Sequence, residues 1–99
     1  MVDNQHRKIT GYRELNEEEI ALMNEVKALG ADIEAVLMKV SAHVESQRAA
    51  ENVDNPAEQI DQLNRMDNAT PERFAAIAKT HFQQGLMAAT RAVAQPEFF

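Results

Sequence analysis

The chain contains no cysteine and no tryptophan, and its 99 residues include only three glycines, three prolines and five aromatic residues. Without cysteine there are no disulfide staples, thiolate metal sites or cysteine nucleophiles. Gly11, Gly30 and Gly85 are too scattered to build a phosphate-cradling loop. Ser41 and Ser46 are its serines; both fall inside a helical pattern, with no nucleophile elbow around them. His6, His43 and His81 lie far apart and lack spaced carboxylate or thiol partners. His43 and His81 read as core or interface residues rather than as ligands. No run approaches the roughly 20 apolar residues of a membrane span. The opening MVDNQHRK has no apolar signal-peptide core. These absences point to a small soluble cytoplasmic protein with no metal, no cofactor and no enzymatic motif.

Charge is also one-sided. The net charge of -6 argues against wrapping duplex nucleic acid. Residues 1–13 nevertheless set Arg7, Lys8 and Arg13 against Asp3, and residues 69–99 set Arg73, Lys79 and Arg91 against Glu72 and Glu97. The acidic excess belongs to the middle, so either end tolerates a small anion.

What is present is helical periodicity. Apolar or small residues recur at Met23, Gly30, Leu37 and Val44, at Val26, Ile33 and Val40, and at Leu22, Leu29 and Val36. These are three neighbouring heptad series, a wider face than one partner helix covers. Asn16 with Glu19 three residues on forms a capping-box signature, and Glu17–Glu19 suit the positive end of a helix. The pattern predicts a long helix over 16–51. Gly30 interrupts its apolar face, which reads as close helix packing. Asn55-Pro56-Ala57-Glu58 starts a short helix to about Met66, with Ile60 and Leu63 facing inward. Asp67-Asn68-Ala69 reads as a break, and Thr70-Pro71 opens a last helix over 71–95, rich in alanine, with Pro96 beyond it. The expected fold is all-α: one domain over 1–99, with an N-terminal arm over 1–15, an antiparallel helical hairpin and a short connecting helix, assembling into a homo-oligomer.

Binding chemistry concentrates near the start. Gly11 allows a tight turn beside Tyr12, the chain's one tyrosine, with Arg13 next to it. A ring beside cations can stack on a nucleobase while the cations answer a phosphate. Lys27, at the margin of the apolar face, is a second such cation. Two readings stand on the residues alone: this base-and-phosphate site, or a tyrosine packed on a neighbouring helix with Lys27 as a solvated rim.

The run Arg7-Lys8-Ile9-Thr10-Gly11-Tyr12-Arg13-Glu14-Leu15-Asn16-Glu17-Glu18-Glu19-Ile20, continued by Met23-Asn24-Glu25-Val26-Lys27, resembles the opening of the phage-encoded anti-CBASS proteins that sequester cyclic oligonucleotide signals. Residues 78–87 and 91–96 are similar to that family's closing helix, and the resemblance is weakest over 41–68. It implies a homo-hexamer in the host bacterial cytoplasm that holds cyclic dinucleotides, cGAMP among them, without cleaving them. In some members cyclic trinucleotides occupy separate sites. The resemblance carries the dinucleotide site onto Tyr12 and Lys27, with Arg13 nearby, and a trinucleotide site onto Arg73, where Pro71-Glu72-Arg73-Phe74 departs from the family pattern in its aromatic residue. The competing classes are a structural or protein-binding helical oligomer and, third, an enzyme such as a phosphodiesterase.

Overall fold

A computed structural model describes residues 13–50 and 54–97. Three helices follow in order: α1 over Glu17–Ala49, α2 over Pro56–Ala69 and α3 over Pro71–Ala94.

Each start has a local cause. The Asn16 side chain accepts from the Glu19 backbone N–H at 2.9 Å, and the Glu19 carboxylate accepts from the Asn16 backbone N–H at 2.9 Å. That reciprocal capping box satisfies two donors that a helix start leaves open. Asn55 caps α2 through the Glu58 N–H at 3.1 Å, with Pro56 as the first helical residue. Thr70 joins α2 to α3. Its backbone is left-handed, at φ 49 and ψ 56, and its N–H closes α2 on the Met66 carbonyl at 2.8 Å. Gln95 ends α3 in the same way, left-handed at φ 50 and bonded to the Arg91 carbonyl at 2.8 Å.

The long helices run antiparallel. Arg13, just ahead of α1, bonds to Val93 and Ala94 at the end of α3, while Arg48 near the end of α1 bonds to Glu72 at the start of α3. Met23, Val26, Ile33 and Leu37 are half-buried on the α1 face turned to α3. A Cβ placed on Gly30 would meet Leu86 Cδ1 at 3.2 Å, so the glycine is a point of close approach. Val44 and Met66 are the buried hydrophobic residues among those described.

α2 folds back on the end of α1. Its Gln59 and Gln62 side-chain amides donate to the carbonyls of Ala50 and Gln47, each at 3.1 Å, answering acceptors that the end of α1 leaves open. Arg48 binds all three helices together. Its Nη1 donates to Asp67 at 2.6 Å, and its Nε and Nη2 donate to the two Glu72 oxygens at 2.7 and 3.1 Å. The Glu72 carboxyl is held below its ordinary range, chiefly by the hydrogen bonds from Arg48.

Three expectations change. α2 does not break at Asp67 but continues to Ala69, because the left-handed turn falls at Thr70 and Asp67 is held by Arg48. Ile60 is not inward but 58% exposed; Met66 supplies the buried contact of α2. His43 and His81 are exposed in the single chain, which removes the core half of that expectation and leaves the interface half. The ends of α1 and α3 differ from the expected 16–51 and 71–95 by a residue or two, at the last turns where helices fray.

Candidate functional site

The groove between α1 and α3 runs along the apolar face and holds about 1200 Å³. Gly30, Ile33, Leu37 and Leu86 lie along it, with Lys27 towards one end and Arg48 towards the other. Phe82 is 45% exposed and lines it, as do Lys79, Glu34 and Glu45. The groove therefore offers an apolar floor with charges of both signs at its edges, and Lys27 is its cation nearest the α1 start.

Arg13 sits at the same end of the hairpin. Its Nε donates to the Ala94 carbonyl at 3.1 Å and its Nη2 to the Val93 carbonyl at 2.8 Å. Its Nη1 donates to Glu19 Oε1 at 3.1 Å, and its Nη2 forms an ion pair with Glu19 Oε2. The guanidinium thus rests on the carbonyl end of α3, where the helix dipole is negative, and on the carboxylate that completes the α1 capping box. Hydrogen bonds from Arg13, then from the Asn16 backbone, lower the Glu19 pKa to about 2. The same pair raises that of Arg13.

Lys27 lies eight residues beyond Glu19, about 12 Å along α1 at 1.5 Å per residue. Arg13 and Lys27 therefore belong to one end of the molecule. Tyr12, the ring expected to act with them, lies outside the described residues. Arg91, in the last turn of α3, belongs to this end too.

Arg73 belongs to the other end. Its guanidinium carbon lies 5.6 Å from the centroid of the Phe74 ring. It lines a shallow hollow of about 310 Å³ with Ala76, Ile77, Thr80 and His81. Arg48 marks the α1 level facing this end through Glu72, and it stands 21 residues beyond Lys27, about 31 Å along the helix. One hairpin does not bring Lys27 and Arg73 into a common site.

No group of three His, Asp or Glu side chains among the described residues could hold a metal ion. No described helix is long and apolar enough to cross a membrane.

Sequence reasoning missed the groove residues Lys79 and Phe82, the joining role of Arg48, and the engagement of Arg13. Periodicity places Phe82 on the apolar pattern of α3, but nothing local assigns it to the groove. Arg48 meets partners 19 and 24 residues away on two other helices, and no local signal announces that.

Comparison with known proteins identifies relatives of this chain. A family model described as the Acb2/Tad1 hairpin domain matches residues 4–94. Anti-CBASS protein 2 of Pseudomonas phage JBD67 is 45% identical over 106 residues, covering 97% of this chain and 98% of that protein.

Proposed function

The chain belongs to the Acb2/Tad1 hairpin family, and on that premise we propose that it is an anti-CBASS sponge, a protein that sequesters cyclic oligonucleotide signals without breaking a bond. The near full-length identity to a phage anti-CBASS protein is the observation that carries this reading. Its place of action is the cytoplasm of an infected bacterium, where withdrawing the signal leaves the CBASS effector without its activator.

Cyclic dinucleotides, cGAMP included, bind through Tyr12 and Lys27 with Arg13 at the base of the same arm. Such a ligand carries two bases and two anionic phosphates. Two copies of one small residue set, presented by two subunits, meet that pseudo-symmetry. Tyr12 stacks on a base, and Lys27 supplies a cation to the polar or phosphate edge. Cyclic trinucleotides take a separate site that includes Arg73, and the distance along the hairpin between Lys27 and Arg73 supports keeping the two apart.

The assembly is a homo-hexamer. Support comes from the faces left open in one chain: Leu29 is 53% and Val36 56% exposed, on the heptad series that α3 does not cover. Apolar stripes of this kind call for a partner.

The test is stoichiometric. Purified protein is mixed with cyclic dinucleotides and trinucleotides, free ligand is measured, and the protein is then denatured. Depletion followed by chemically intact recovery is expected. Linearised product would make the protein a phosphodiesterase, and no depletion across the panel would leave a structural helical oligomer.

A further inference from the structure

We propose that Arg13 is a positioning residue for the binding arm and not one of the cations that meet the ligand, an inference resting on the reading of Tyr12 and Lys27 above. A guanidinium has five N–H donors. Four of its hydrogen bonds are already made, to Ala94, Val93 and both oxygens of Glu19. The surroundings are wrong for an anion as well. A phosphate approaching Arg13 would meet the Glu19 carboxylate and the negative end of α3, with Glu17 and Glu18 in the same first turn.

What these bonds do is mechanical. They tie one residue of the arm to the capping box of α1 and to carbonyls 80 and 81 residues away in sequence. Tyr12 is the next residue, and consecutive Cα atoms stand 3.8 Å apart. The chain is thereby fixed at Arg13, the residue that follows Tyr12, by a planar, forked side chain, a geometry lysine cannot reproduce. Released, Arg13 has to be anchored again at the moment of binding, at a cost in affinity.

Two substitutions separate positioning from direct contact, because the two roles give opposite signs. Glu19→Gln keeps the capping-box acceptor but removes the charge that holds Arg13. If Arg13 positions the arm, Glu19→Gln weakens binding. If Arg13 answers a phosphate, freeing it strengthens binding. The measurement is calorimetric titration with the tightest of cyclic di-GMP, cyclic di-AMP and cGAMP, alongside helicity and assembly size on the same samples.

The expected result is a roughly five- to twenty-fold loss in Arg13→Gln, the scale of re-ordering about one residue of backbone. A similar loss is expected in Glu19→Gln, with Arg13→Lys in between. In a Tyr12→Ala background the Arg13→Gln loss should disappear, which a general loss of structure would not produce. Tighter binding by Glu19→Gln, or an additive loss in the Arg13→Gln, Tyr12→Ala double variant, would overturn the proposal. So would unchanged affinity in Arg13→Gln while Tyr12→Ala loses binding, an outcome that leaves the Tyr12 reading standing. Undiminished affinity in Tyr12→Ala itself would remove that reading and this proposal together.

Discussion

Replacing each mid-helix glycine by alanine tests how closely the two long helices meet, since Gly30 and Gly85 stand in opposite surroundings. A Cβ on Gly85 would find nothing within 4 Å, whereas one on Gly30 would meet Leu86 Cδ1 at 3.2 Å. In a helix interior, alanine is favoured over glycine by about 0.8–1.0 kcal/mol. Gly85→Ala should gain that amount in full. Gly30→Ala gains the same but pushes on Leu86, whose tip has to give by a few tenths of an ångström. Moving a side chain off its rotamer costs about 0.5–1.5 kcal/mol, and the half-buried Leu86 has room for the lower figure. The net for Gly30→Ala is then about 0.3–0.5 kcal/mol of stabilisation, clearly below that of Gly85→Ala. A Leu86→Ala background removes the obstruction, and there Gly30→Ala should recover nearly the whole propensity gain. Urea unfolding at one fixed protein concentration measures the four variants against the native chain, the fixed concentration being needed because self-association adds to apparent stability. A gain at Gly30 equal to that at Gly85, or a destabilising Gly85→Ala, would refute the assignment of one close and one open glycine. The result bears on binding, because Gly30 lies three residues, a little under one turn, from Lys27 and sets how near α3 stands to the same end of the groove.

Other expectations concern binding, assembly and acid. Tyr12→Ala should weaken cyclic-dinucleotide binding by an amount on the order of 1–3 kcal/mol per stacked base; Tyr12→Phe should retain much of it, and Lys27→Glu should lose more than Lys27→Ala, all read by calorimetry with the assembly size unchanged. Arg73→Ala should weaken trinucleotide capture and leave dinucleotide capture intact in parallel titrations; equal losses would contradict separate sites. Leu37→Asp places an unpaired charge on the half-buried face and should unfold or dissociate the protein, visible by light scattering and circular dichroism. Acid should release the Arg13 clasp in a defined window: the Glu19 pKa is lowered from 4.5 to about 2, so its stabilisation is fully present above pH 4.5 and lost as pH falls towards 2. Unfolding profiles of the native chain and Glu19→Gln should therefore differ at neutral pH and converge at the acid end.

Local signals carried the fold far. Asn16 with Glu19 and Asn55 with Glu58 act through bonds spanning three residues, so the helix starts could be read directly. The Asp67-Asn68-Ala69 run was misread because its composition suits a turn, while the actual reversal depends on one left-handed residue, Thr70, and on a guanidinium from another helix. The heptad series told that α1 has a broad apolar face but not how α3 divides it. Met23 and Leu37 turn towards α3, while Leu29 and Val36 remain open. At the site, residue types suggested a cationic arm, yet the occupation of Arg13 was invisible, since its carbonyl partners lie 80 residues or more away and any residue there would supply the same backbone oxygen.

A single residue, Thr70, separates α2 from α3. One residue added within the last turn of α2, just ahead of that joint, would turn everything after it by about 100° about the helix axis, carrying Glu72 off Arg48 and the Leu86 face away from Gly30. A residue added past Gln95, beyond the last helix, transmits no such rotation. The joint at Thr70 makes chain length there as heritable a trait as any side chain.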